Sequence, residues 1–370
     1  MEVLNSQSQS PTQSKLALEN VLGMKGGDGD SSYVNNSLCQ LKMVQALKPI
    51  LERSIHENMR FEFNRRGILR IADFGCGTGQ NTLVVADTIV RALQCSLEER
   101  EMPEFEVYFT DLPSNDFNLL SYFAAAVCGS HFKRLFPQKS LHFCHSSASL
   151  HWISQVPESV QQRRSPRVYV SNDCEGIVGA AYLHQFNTDF TAFLNARARE
   201  IVDGGSMFIS LVGRNAGTQL MEEQGILGNI ARHLEYAFEE LVNEDIVERE
   251  KWKSFYIPWF GPSLEEVESI VKKEGSFEIG NMRVLGGVPM HPMTHWKQGE
   301  EKMFGIFVAN QYRALFENII EVHLGSERLT DEFFLRIAKR ASTQFEEYIP
   351  KEIELVVALL IKNGAHNNSY

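Results

Sequence analysis

One short passage limits the possible architectures more than any other. In RIADFGCGTGQNT (residues 70–82), an apolar run that includes Ile68, Leu69, Ile71 and Ala72 stops at Asp73 and then at Gly75, Gly77 and Gly79. A strand that ends in a glycine-rich turn and opens a helix is the start of a nucleotide-binding α/β unit. The following NTLVVADTIVRALQ has the apolar spacing of a helix. FEVYFTD (105–111), SLHFCHS (140–146) and SMFISLVG (206–213) read as further strands, and TDFTAFLNARAREIV as a helix stopped by Gly204 and Gly205. Such alternation predicts a parallel sheet with helices on both faces.

The pattern changes after residue 215. ILGNIARHLEYAFEELVNE and PSLEEVESIVKKEG are amphipathic helices with no strand between them, and a strand follows near SFEIGNMRVL. Two more helical stretches (303–323 and 329–348) precede EIELVVALLIK, an apolar run open to either a strand or a helix, with β-branching favouring strand. The expectation is a single domain over 21–370, with a helical cap mainly in 215–350 added to an α/β core. Near the start, NNSLCQLKMVQALKPILERSI has helical spacing, and residues 1–20 are polar and read as a disordered lead-in.

A formal net charge of −11 from 36 basic and 47 acidic side chains argues against nucleic acid as a partner, since phosphate binding needs a clustered basic face. No apolar run approaches the roughly 18 residues of a membrane span. The six cysteines (39, 76, 95, 128, 144 and 174) are scattered without a C-x-x-C pair. Reduced thiols in a cytoplasmic protein account for them better than a disulfide framework or a zinc site.

Two ligands compete for the glycine turn. A dinucleotide would bring its pyrophosphate close to the Asp73 carboxylate, an unfavourable pairing in a partly buried site. S-adenosylmethionine brings an ammonium and a sulfonium, which an acid suits. Asp111 ends the next strand, where a carboxylate can accept two ribose hydroxyls. It stands 38 residues beyond Asp73, against roughly 20 in a dinucleotide fingerprint. The turn and its two acids therefore favour the methyl donor, with a plain tight turn as the alternative for G-x-G-x-G alone.

From about residue 20 to the C-terminus the chain resembles the plant SABATH methyltransferases, which esterify salicylate, jasmonate, indole-3-acetate and related acids or N-methylate xanthines. The blocks that carry the resemblance are MKGGDGDSSYVNNSLCQ (24–40), DFGCGTGQNT (73–82), TDLPSNDFN (110–118), GSHFKRLFP (129–137) and HSSASLHWISQVPESV (145–160). The resemblance implies a Rossmann-like, mostly parallel methyltransferase sheet of seven strands whose last strand, EIELVVALLIK, runs antiparallel, with an α-helical cap. It implies cofactor contacts at Tyr33, Asp73, Gly75, Asn81, Asp111, Leu112, Ser130 and His131. Gln40 and Trp152 would hold the substrate carboxylate. Lys25, Asn36 and Ser37 lie in an N-terminal segment (21–60) that folds over the site. Lys25, Ser37, Ala148, His151 and Phe260 complete the expected substrate set. S-adenosylmethionine would be the cofactor, S-adenosylhomocysteine the product, a small carboxylic acid the substrate, and the assembly a homodimer.

Some positions depart from the family pattern. Ala148 stands where many members press an aromatic residue on the substrate, and His131 where an aromatic lies near adenine. Lys253 and Tyr256, in KSFYIP, replace the acid and amide that hold a metal in relatives, which makes a structural magnesium doubtful. No general base is expected, because a carboxylic acid with a pKa near 4 is already ionised at neutral pH. His145 and His151 invite a base role only if the nucleophile were instead a thiol or ring nitrogen, the alternative to an acid.

Overall fold

The computed structural model describes residues 19, 21–58, 67–97, 102–119, 125–165, 167–169, 176–214, 225–288, 299–348 and 352–364. Apart from Glu19, the expected disordered lead-in lies outside them. The strands are β1 (Ile68–Phe74), β2 (Glu104–Asp111), β3 (Ala125–Cys128), β4 (Leu141–Ser147), β5 (Ile201–Val212), β6 (Phe277–Val288) and β7 (Ile353–Lys362). They form one seven-stranded sheet in the order β3-β2-β1-β4-β5-β7-β6. β1 to β5 pair in parallel, and β7 inserts antiparallel between β5 and β6. The expected antiparallel last strand is present.

β7 shows why its sequence was ambiguous. Leu355, Val357 and Leu359 enter one hydrophobic cluster, while Val356, Ala358 and Leu360 enter the other. Both faces are covered, so period-2 alternation places an apolar residue at every position and the polar half of the strand signal vanishes.

The first cluster gathers α2 (Leu38–Asn58), α3 (Gln80–Cys95), α6 (Ile226–Asn243), α9 (Glu301–Leu324) and α10 (Glu327–Thr343). The second takes in α5 (Ile177–Glu200) and α8 (Leu264–Glu274). The short helices α1 (Tyr33–Asn36), α4 (Glu158–Gln161) and α7 (Arg249–Trp252) complete the set among the described residues. α9 packs on α10, and α10 on α6, as a cap. α8 instead packs on α5 and β6, so part of the 215–350 region covers the sheet rather than the cleft.

The α5–β5 boundary also falls earlier than expected. The helix ends at Glu200, and Ile201 is already extended and paired with Leu141, so Gly204 and Gly205 lie inside the strand. The β-branched pair Ile201–Val202 suits the strand better than a last helical turn. Edge strand β3, which has no alternating apolar signal, was not foreseen.

The cap depends on one close helix approach. Gly305 of α9 is buried, and a Cβ there would run into the Ser342 hydroxyl and the Ala338 carbonyl of α10. Helix propensity favours alanine over glycine by about 1 kcal/mol, but forcing these helices apart costs roughly 1–3 kcal/mol. Gly305→Ala is therefore expected to lower the free energy of unfolding in urea; a stabilised variant would show that the helices are not in contact there.

Candidate active site

β1 lies where the strand order reverses, between β2 and β4, and ligands of open α/β sheets bind at the carboxyl ends of such strands. A cavity of about 190 Å³ opens there, many times the roughly 10–15 Å³ that a single water needs. The glycine turn forms its floor, with Gly75, Gly77 and Gly79 at φ of 73°, 64° and 95°. These angles suit residues without a Cβ. A Cβ would also collide with Ser149 at Gly75 and with Val34 (2.6 Å) at Gly79, and would crowd the Tyr33 ring (3.1 Å) at Gly77.

The turn's amides are already engaged. Gly75 and Cys76 N–H donate to the Thr110 carbonyl (2.8 and 3.1 Å), and Gly77 N–H donates to Asp111 Oδ2 (2.7 Å). None of these three N–H groups is left for a pyrophosphate. The other Asp111 oxygen accepts Leu112 N–H (2.7 Å). Burial pushes the Asp111 carboxyl up to about 6 against these hydrogen bonds, and the nearby Asp73 charge adds to the rise. Tyr33, buried against the turn, is raised by burial first and by Asp111 second.

Asp73 is itself buried and fixed on both oxygens. Thr82 Oγ1 donates to Oδ2 (2.6 Å), and His145 Nδ1 lies 2.7 Å from Oδ1. A carboxylate only accepts, so Nδ1 carries the hydrogen. His145 stands directly beside Asp73 in the β1–β4 register. It is an orienting group for the acid, a role that nothing in its sequence neighbourhood announced.

At the other end, Gln40 and Trp152 line the cavity, and neither the amide nor the indole N–H has a hydrogen-bond partner among the described residues. Trp152 sits in a short antiparallel pairing with Trp259, flanked by Ile153 N–H to Pro258 O (2.8 Å) and Phe260 N–H to His151 O (2.7 Å). Opposed residues of such a pair share a face. Trp259 accordingly lines the cavity beside Trp152, their ring centroids 5.5 Å apart. Phe260, expected at the substrate, is instead enclosed in the second cluster against Phe186. Trp259 was missed because this pairing joins segments about a hundred residues apart.

The structure brings Tyr33, Asp73, Gly75, Asn81, Asp111, Leu112, Ser130 and His131, the expected cofactor set, into one cavity with Gln40, Ala148, His151 and Trp152. Lys25 and Ser37 stand outside it. Lys25 pairs with Glu317 of α9, and Ser37 offers its carbonyl to the Asn81 side chain (3.0 Å). Both contacts fasten the N-terminal segment rather than face the cavity. Ala148 has a left-handed backbone (φ 51°). Lys253 pairs with Glu250, and Tyr256 Oη accepts Ser165 N–H (2.8 Å). Among the described residues no group of three or more His, Cys, Asp or Glu side chains could hold a metal ion.

A family model described as SAM dependent carboxyl methyltransferase matches residues 19–362. Indole-3-acetate O-methyltransferase 1 of Oryza sativa subsp. japonica is 35% identical, covering 94% of this chain and 93% of its own length. A probable jasmonic acid carboxyl methyltransferase 2 of Theobroma cacao is also 35% identical, covering 92% and 98%. Among solved structures, loganic acid methyltransferase with S-adenosylhomocysteine superposes with a TM-score of 0.81 at 33% identity, over 92% of this chain and 99% of that one.

Burial drives both cavity imidazoles, His131 and His151, down to about 3; for His131 the Arg197 charge adds to the effect. A depressed base stays neutral until the pH falls to its own pKa, so both rings should show neutral nitrogen shifts by NMR from pH 8 to about 4. Titration of either near the ordinary 6.5 would contradict their burial.

Proposed function

The chain belongs to the S-adenosylmethionine-dependent carboxyl methyltransferases, and we propose that it esterifies a small-molecule acid held between the Gln40 amide and the Trp152 indole. The observation that carries this reading is that the Gln40 amide and the Trp152 indole, neither with a hydrogen-bond partner among the described residues, share one cavity with the glycine turn and its two acids. The residues fit the methyl donor: glycines at three positions of the turn let a ligand come close, two carboxylates suit a cationic ligand, and the Gly75, Cys76 and Gly77 amides are already paired within the protein. When bound, S-adenosylmethionine supplies an electrophilic methyl group on a sulfonium centre.

The chain's own groups then divide the work. Asp111 takes the ribose hydroxyls, and Asp73, held by Thr82 and His145, presents its charge to the ammonium. Tyr33 closes over the turn. Gln40 and Trp152 grip one carboxylate oxygen and aim the other, an alignment that can contribute roughly 7–11 kcal/mol. Apolar neighbours such as Ile226, Leu227 and Leu315 strip water from the nucleophile. The Ala148 methyl leaves room for an acid longer than a benzoate. His151 has lost most of its basicity through burial, which makes it a poor proton acceptor for a thiol or ring nitrogen and favours the carboxylate. We place the enzyme in the cytoplasm as a homodimer, in keeping with the scattered reduced thiols for the compartment and the family resemblance for the dimer.

Two outcomes test the assignment. Asp111 titrates near 6 in the free protein, and hydroxyl donors favour its ionised form. S-adenosylhomocysteine affinity should be flat above pH 7 and fall by at most tenfold per pH unit below about 6, as the acid takes up a proton that binding must displace. Calorimetry showing a flat profile down to pH 5 would remove Asp111 from the ligand. Trp152→Phe keeps the ring and loses the donor; it should cut kcat/KM for the best acid by roughly tenfold or more, since a hydrogen bond to a charged group is worth about 1.5–3 kcal/mol. Unchanged turnover would mean the carboxylate is held elsewhere.

A further inference from the structure

α5 carries an ion pair that no substrate contact explains. Arg197 and Glu200 are both fully buried. Arg197 Nε donates to Glu200 Oε2 (2.7 Å), and its two terminal nitrogens donate to the carbonyls of His131 (2.8 Å) and Lys133 (2.9 Å). Glu200 Oε1 accepts Leu135 N–H (2.5 Å) and Phe136 N–H (2.9 Å). The guanidinium also lies 4.0 Å from the ring centroid of Phe74, the residue before the glycine turn.

Burying such a pair is costly, and apolar side chains of similar volume often serve a core as well or better. What apolar side chains could not do is satisfy four backbone groups of the irregular stretch 131–136, which has no ladder of its own. That stretch follows Ser130, and both Ser130 and His131 line the cavity beside the turn.

We propose that Arg197, with Glu200, is a positioning residue for the methyl-donor site: it fixes the 131–136 backbone and so sets Ser130 and His131 against the donor. This rests on the reading that the donor occupies the glycine-turn end of the cavity. A second polar residue of the same helix provides the contrast. Asp189, two turns earlier, accepts Ser154 N–H and Ser154 Oγ–H, both at 2.8 Å, and so holds the loop that follows Trp152 at the acid end.

The test is S-adenosylhomocysteine binding by calorimetry, with thermal melting alongside, on the full-length protein and three variants. Arg197→Lys keeps the charge but not the planar fork that reaches two carbonyls at once. The double variant Arg197→Met with Glu200→Leu replaces the pair by apolar side chains, so that no unpaired charge prevents folding. Asp189→Asn perturbs the same helix at the other loop. Arg197→Lys and the double variant are expected to remain folded and bind about tenfold more weakly, as a displaced contact group allows, while Asp189→Asn binds like the wild type. Wild-type affinity in either folded Arg197 variant, or an equal loss in Asp189→Asn, would overturn the proposal. A wild-type protein that does not bind S-adenosylhomocysteine would overturn the donor reading itself.

Discussion

Three missing Cβ atoms allow the site to exist. At Gly75, Gly77 and Gly79 the chain turns through positive φ, and two segments distant in sequence press on the space that side chains would fill: Ser149 after β4, and Tyr33 and Val34 from the N-terminal segment. The turn is bound in addition to the end of β2 through Thr110 and Asp111. The N-terminal segment, the end of β2 and the segment after β4 therefore meet at this one turn. The N-terminal segment is pinned at its far side as well, where Asn318 of α9 donates to the Gly23 carbonyl (2.6 Å).

The electrostatics follow from the same junction. Asp73 and Asp111 stand at the ends of adjacent strands, and the carboxyl of Asp111 is raised by burial first and by the charge of its neighbour last. A cationic ligand relieves that tension, whereas a phosphate would increase it. The site's preference is set by charges on the strand ends, and the amides of Gly75, Cys76 and Gly77 are already paired within the protein.

Much of this was legible in the sequence because it is local. The apolar run, the glycines and the acids at strand ends need no knowledge of distant contacts, and the resemblance supplied Gln40 and Trp152. What escaped notice was long-range or lacked a periodic signal. Residues 151–153 pair with 258–260, which puts Trp259 rather than Phe260 at the cavity, and alternation within either segment alone could not choose between them. His145 became the partner of Asp73 only through the β1–β4 register. β3 is a four-residue edge strand with little buried surface, and β7 is buried on both faces, so neither shows the alternation by which a strand is recognised.

The central claim is that the nucleophile is a carboxylate, and the chemistry of the product decides it most directly. Incubation with methyl-labelled S-adenosylmethionine and a mixture of small acids, thiols and purines should place the label in a methyl ester. Mild base should then release it as volatile methanol. Label that stays with the product through base treatment, on sulfur or on a ring nitrogen, would contradict the account.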